Sequence, residues 1–331
     1  EEVDTYTVTL TLNSPSVFVL TALAMDLGFP AIMPKEIIEQ GSEQGVQEYI
    51  GTGPYEYAEW RQDQYIHLKK YEDYQPVDLP ADGTAGKKEA LVENLYFHIV
   101  QDPSTRLSGL LTGQYDIGLD FDQEEQEQLQ NASDINVNIS YAGYPALVFN
   151  RYEGLFTDIN MRRAVNAALD IEEIAAGSLA DGYRLGPSYM QKEQVNWYSE
   201  AGSELYNQPD LEEAKRLLEE AGYQGETIRL LATRDYNYMY NSAVIIQEQL
   251  SQIGMNVELE IYDWGTVLET RQDPGTWELY MNGAGDTLTP LEKLYLNDGY
   301  YGGPIDDDSK RMVDNIKNAE SFEEAKEIWD D

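Results

Sequence analysis

Between residues 144 and 170 the hydrophobic pattern changes period. Leu147 and Phe149 fall on one side of an extended segment, and after the break at Gly154 the apolar residues recur as Met161, Ala164, Val165, Ala168 and Leu169, the spacing of one helix face. Asp158 stands where that helix needs an N-cap. Asp170, with Glu173 three residues on, has the form of a capping box for a second helix. The alternation of strand and helix then continues. Residues 210–221 place Leu211, Ala214, Leu217, Leu218 and Ala221 on one face and stop at Gly222. A strand over 227–232, a helix over 242–253 stopped by Gly254 and a strand over 257–261 predict a parallel crossover. A strand over 277–281 follows, then a glycine-rich turn, and a polar helix closes the chain.

The first part of the chain is less regular. Residues 5–12 alternate threonine with Tyr6, Val8, Leu10 and Leu12, the period of a half-buried strand, and 17–27 predict a short apolar helix. Gly51, Thr52, Gly53, Pro54 and Tyr55 make a tight turn into an extended stretch. Residues 79–90 read as an exposed loop; its Lys87 and Lys88 follow Gly86 without the hydroxyl residue or the glycine spacing of a phosphate-binding loop. A strand over 95–100, a helix over 103–112 closed by Gly113 and a strand over 115–119 predict a βαβ unit, and 123–130 a Glu/Gln-rich surface helix.

Composition narrows the function classes. The chain has 331 residues, enough for two domains, and its 42% hydrophobic content argues for a folded core. With 61 acidic against 22 basic residues the net charge is -39, which repels nucleic acid and anionic membrane surfaces. An acidic, solvated surface of this kind also keeps a secreted protein soluble. Cysteine is absent, excluding disulfides and thiolate chemistry and fitting a location outside the cytoplasm. No stretch reaches the roughly 18 apolar residues of a membrane span. The chain opens on Glu1 and Glu2 with no signal-peptide pattern, and is read as an interior piece of a longer protein.

Candidate chemistry is sparse. His67 and His98, the only histidines, fall in predicted strands without a metal-ligand spacing, and Asp306, Asp307 and Asp308 lack the glycine and terminal glutamate of a calcium loop. No nucleophile motif is present, so a hydrolase would have to rest on a carboxylate pair that the sequence does not single out. The segment 262–286 places Trp264 after a strand end, Arg271 on the next helix and Asp286 after the following strand, where ligands bind in open α/β sheets. There a carboxylate can hold an ammonium, an arginine a carboxylate, and an indole an apolar group. By spacing alone, Trp264 and Trp277 read as core residues and Asp286 as a turn cap.

Several motifs resemble solute-binding protein family 5, the oligopeptide, dipeptide and nickel receptors of ABC importers. They are Gly51 to Tyr55 with Trp60, Tyr71 and Tyr74; Arg106, Leu110, Gly113, Asp116 and Ile117; Asp158, Arg162, Arg163, Ala164, Ala168, Leu169 and Asp170; and Ala214, Lys215, Leu217, Leu218, Glu220, Ala221, Gly222 and Tyr223. Met161 stands where the family usually has valine. The resemblance implies a bilobed α/β periplasmic-binding-protein fold of the class II type, with residues 1–134 part of lobe I and the crossover, and 135–331 the second, ligand-binding lobe. About two thirds of a family member is covered. The implied function is capture of oligopeptides or dipeptides outside the cytoplasm, by a lipid-anchored or periplasmic monomer, for delivery to the membrane subunits of an ABC permease. No cofactor or metal is implied. Trp264, Arg271, Asp286 and Pro290 look like the family's peptide-gripping positions, with Gly283 beside them; the loop reads Asn282, Gly283, Ala284, Gly285, Asp286, so the tryptophan of that motif is absent. That departure and the 25 tyrosines keep a sugar-binding or oligosaccharide-binding receptor open as the alternative.

Overall fold

The computed structural model describes residues 2–25, 30–42, 45–121, 123–140, 143–179, 183–297, 299–300, 302 and 306–331. The chain divides into two compact units, Leu20–Asn136, and Glu1–Val19 with Val137–Asp331. The sequence places its division at 134/135, and groups residues 1–19 with the part before it.

The chain begins with a small hairpin of β1 (Glu2–Asp4) and β2 (Thr7–Val8), followed by α1 (Val19–Leu23). The single strand predicted over 5–12 is therefore broken by the turn at Thr5 and Tyr6, and Tyr6, Val8, Leu10 and Leu12 are all exposed. Period-2 alternation reports a half-buried strand only where a core covers one face. The helix predicted over 17–27 is shorter, and its positions 26 and 27 lie outside the described residues.

In the smaller unit, α2 (Lys35–Gln40) precedes β3 (Tyr55–Arg61), β4 (Tyr65–Lys70) and β5 (Asn94–His98), an antiparallel sheet of order β3-β4-β5. Both histidines are strand residues here: His67 stacks on Tyr96 at 4.1 Å and its Nε2 lies 2.9 Å from Asn94 Oδ1. Two helices follow, α3 (Pro103–Leu111), capped by Asp102 accepting from Thr105 N, and α4 (Gln123–Gln130). The strand predicted over 115–119 is absent, so no βαβ unit forms. Arg106 explains the difference: its guanidinium donates to the carbonyls of Val100, Gln101 and Asp120, at 2.8, 3.1 and 2.8 Å, and holds the segment as a loop.

The larger unit is built on a four-stranded mixed sheet of order β6-β9-β7-β8. Its elements run β6 (Gly143–Phe149), α5 (Ile159–Ala168), α6 (Ile171–Ser178), α7 (Leu211–Glu220), β7 (Thr227–Thr233), α8 (Asn237–Ser251), β8 (Asn256–Tyr262), α9 (Trp264–Thr270) and β9 (Leu279–Gly285), followed by α10 (Asp307–Lys317) and α11 (Phe322–Asp330). The β7–β8 pairing is parallel, as the crossover pattern predicts, whereas β6 runs antiparallel to β9. Alternation along β9 sends side chains to two layers. Leu279 and Met281 join Ala164, Leu217, Leu230, Ala243 and Leu250 under α5, α7 and α8, while Tyr280 joins Val148, Leu231, Val267, Trp277 and Tyr300 on the other face.

Helix starts follow the acidic caps read from the sequence. Asp158 accepts from Asn160 N, and Asp210 from Glu212 N and Glu213 N. Asp170 accepts from Glu172 N and Glu173 N, but its own N–H donates to Gln249 Oε1 at 3.0 Å, and the Glu173 carboxylate accepts from Gln249 Nε2 at 2.7 Å. A glutamine from α8 thus takes the reciprocal half of the expected capping box. Arg162 donates to Phe156 O and Thr157 O, tying its helix to the turn before it. Asp306, the first of the three consecutive acids, caps α10 through Ser309. Among the described residues no group of histidines and carboxylates has the form of a metal site, and no helix is long and apolar enough to cross a membrane.

Candidate functional site

Because β7 lies parallel to both β8 and β9, their carboxyl ends share one edge of the sheet. A cleft of about 430 Å³ opens there. Its walls are Tyr236, Tyr238 and Met239 at the start of α8, Trp264 at the start of α9, Leu179 after α6, and the backbone-rich ends of β6 and β9 at Gly143–Pro145 and Gly283–Gly285. The Trp264 ring meets Tyr236 edge to face at 5.7 Å, and its backbone N–H donates to Asp235 Oδ2 at 2.7 Å. Asp263 caps α9 through Thr266 N. Aromatic rings held this way give flat apolar walls at little entropic cost on binding.

The floor carries backbone chemistry. β9 pairs with β6 along its whole length, from Phe149↔Leu279 to Gly143↔Gly285. Its ladder to β7 comprises only Leu230↔Leu279 and Leu231↔Tyr280. Beyond Tyr280 no strand among the described residues pairs with the edge turned toward β7, which is open there, and Gly283, Ala284 and Gly285 of that stretch line the cleft. The glycine-rich segment expected to be a turn is thus the end of a strand. At Gly283 the Tyr238 side chain approaches so closely that a Cβ would overlap its hydroxyl and displace it. At Gly143 a Cβ would overlap the Ala284 carbonyl.

Of the five residues singled out from the sequence, Trp264 and Gly283 line the cleft, while Pro290 is buried at the start of a short 3-10 turn outside its walls. Asp286 follows the last lining residue of β9 and is half-buried, with Oδ1 accepting from Gln191 Nε2 at 3.2 Å. Next to it lies a lysine that the sequence reading missed. Lys293 is 2% exposed, its Nζ donates to Gly285 O at 3.4 Å, and it sits 5.1 Å from the centroid of the Tyr144 ring. Burial lowers the Lys293 pKa, and the carboxylates of Asp286 and Glu292 work against that shift. Tyr144 is pushed upward, by burial first and then by Tyr295, Tyr189 and Asp286.

Arg271 stands apart from the cleft walls. It is the C-cap of α9, its guanidinium lies 5.6 Å from the Tyr280 ring centroid, and its carbonyl accepts from Trp277 Nε1 at 3.2 Å. Tyr280 and Tyr300 share a 2.5 Å hydrogen bond, and Asn282 Nδ2 donates to the Tyr300 hydroxyl at 3.0 Å. Arg271 and Asn282 thus belong to a buried polar network on the face of β9 opposite Gly283.

Two features, the start of α8 and Lys293, were missed in the sequence for definable reasons. The α8 helix starts at Asn237, earlier than expected, because its N-cap, Tyr236, makes no side-chain cap hydrogen bond and so carries no capping signature. That left Tyr236, Tyr238 and Met239 in an apparent loop. Lys293 follows a capping box, Thr289 with Glu292, that was legible as T-x-x-E; only the tertiary structure places it beside Asp286.

The model of the bacterial extracellular solute-binding proteins, family 5 middle region, matches residues 1–304. A protein of Sinorhizobium fredii named a probable peptide ABC transporter periplasmic-binding protein is 24% identical over 98% of this chain and 64% of its own length. The oligopeptide-binding protein AppA of Bacillus subtilis is 24% identical over 91% of this chain and 56% of its own. The chain therefore spans about 56–64% of these two relatives. Among solved structures, the ABC transporter-associated periplasmic binding protein DppA of Helicobacter pylori, in complex with a peptide STSA, superposes with a TM-score of 0.71 at 24% identity, covering 97% of this chain and 62% of that one. The likeness shows a shared fold.

Proposed function

Since the chain belongs to family 5 of the bacterial extracellular solute-binding proteins, we propose that it is the substrate-binding component of an ABC importer, capturing peptides outside the cytoplasm and presenting them to membrane permease subunits. The observation that carries this reading is the open edge of β9 on the floor of an aromatic cleft. An extended peptide adds to such an edge through main-chain hydrogen bonds, which are indifferent to side-chain identity, while Tyr236, Tyr238 and Trp264 supply walls for varied side chains. Relatives named for binding oligopeptides and for a peptide ABC transporter support the same reading. Oligosaccharide, the alternative, would use the rings as stacking platforms and leave the strand edge idle.

Native mass spectrometry of the full-length mature protein as purified tests the assignment. Bound mass resolving into a ladder of short peptides supports it; a single sugar or other discrete solute overturns it. A companion variant reports on the cleft. Gly283→Ala drives the Tyr238 hydroxyl from its place, and peptide affinity falls by about tenfold, as for loss of a central interface contact. Adding Tyr238→Phe removes the overlapping oxygen and restores most of the affinity. Unchanged affinity in Gly283→Ala, measured by titration calorimetry, would contradict a ligand seated on this floor.

A further inference from the structure

We propose that this protein is built for molar salt: carboxylate repulsion weakens its folded state at low ionic strength, and dissolved cations restore it by screening. The inference is independent of what the cleft binds. With 61 acids against 22 lysines and arginines, a net charge of -39 remains even if every basic residue neutralises one acid. Solubility does not require this, since a net charge of about 2 to 8 keeps a small domain in solution. Nor is the excess hidden in the core. Among the described residues Glu125 is the one buried acidic side chain, and the other described acids are exposed or half-buried. Folding gathers these carboxylates onto a compact surface, whereas the unfolded chain spreads them apart, so their repulsion acts against the fold.

Local pairing does not offset that repulsion. Cations suit the last turn of a helix, where the backbone dipole is negative, and carboxylates there are unfavourable. Among the described α-helices only α10 carries a cation in its last turn, Lys317. Instead Glu219, Glu248, Glu269 and Glu327, all exposed, stand in the last turns of α7, α8, α9 and α11. On α11, Glu323 and Glu327 are like charges four residues apart, a spacing that costs helix stability. Of the described ion pairs only Arg229 with Glu278 has both side chains less than a third exposed. Exposed pairs contribute little, so salt has little attraction to weaken and much repulsion to screen. The cleft stands outside this pattern. None of its walls is a carboxylate, lysine, arginine or histidine, and salt leaves apolar contacts in place or strengthens them.

Thermal melts of the full-length protein, followed by circular dichroism, test the inference. Between about 0.1 M and about 1 M NaCl the Debye length falls from about 10 Å to about 3 Å, and the melting temperature should rise by at least about 10 °C. A smaller rise overturns the inference. So does an equal rise produced at low salt by uncharged sucrose, which would assign the effect to solute exclusion rather than to screening. The variant combining Glu219→Gln, Glu248→Gln, Glu269→Gln and Glu327→Gln removes four exposed charges with almost no change of shape. It should melt about 5 °C above the wild type at about 0.1 M NaCl, and the gap should close at about 1 M. A variant that melts no higher than the wild type at low salt contradicts repulsion as the cause. The wild-type and sucrose melts decide the matter even if the variant fails to fold.

Discussion

Trp277→Ala is expected to destabilise the larger unit by about 4 kcal/mol, the range for truncating a fully buried aromatic residue. Trp277 is 1% exposed, lies edge-on to Tyr280 with 5.0 Å between ring centroids, and donates from Nε1 to the Arg271 carbonyl. Its removal opens a cavity beneath α9 and leaves that carbonyl without its indole donor. Trp277→Phe keeps most of the packing and should cost roughly half as much or less. Urea unfolding measures both. A loss within about 1 kcal/mol for the alanine variant would show that the Trp277 layer is not a core.

The second large effect is at Asp286. Asp286→Ala removes the carboxylate that most opposes the burial-driven lowering of the Lys293 pKa, together with the acceptor of Gln191; the two charges are not in ion-pair contact, so the expected cost is about 1–2 kcal/mol at neutral pH. The pH dependence has a defined sign. Without the carboxylate the folded-state pKa of Lys293 falls further below its ordinary value of 10.5, so the unfolded chain binds a proton that the folded chain releases. The destabilisation is complete below the folded-state pKa and shrinks as pH rises toward the unfolded value. Lys293→Met in the Asp286→Ala background should recover the part of the loss that comes from the charge. Thermal melts of the two single variants and the double variant, taken across neutral to alkaline pH, measure the coupling. Asp286→Ala melting like the wild type throughout would mean that the two charges do not interact.

The α/β grammar of the larger unit was legible because its signals are local. Asp158, Asp170 and Asp210 cap helices as side chains acting on the next two or three backbone N–H groups, and Gly222 and Gly254 end helices at φ of 74° and 89°, where glycine has no steric penalty. What sequence could not supply was decided over long separations. Gln249 displaces Glu173 from the expected capping box across 79 residues. Gly283 and Gly285 look like a turn in sequence, yet β6 pairs with them from 138 and 142 positions away, at Pro145 and Gly143. Ile117 and Leu119 alternate like a strand but are 77% and 69% exposed, with the loop tied by Arg106.

The candidate site shows the same division. Trp264 was found because it follows a strand end, a position that the α/β architecture makes a cleft wall. Arg271 satisfied the same local rule, but the turn at the end of α9 carries its guanidinium to Tyr280 on the opposite face. Tyr238 and Lys293 had no local signal; one depends on a helix that starts without a side-chain cap, the other on a turn that folds back beneath Tyr144.

Hydrogen exchange of the full-length protein, with and without a saturating mixture of short peptides, addresses the open edge of β9 directly. Peptide added as a strand should slow exchange of the backbone amides within 281–285, with little change along the already paired β7 and β8. Peptide that binds while exchange in 281–285 stays the same would place the ligand elsewhere and remove the strand edge from the account.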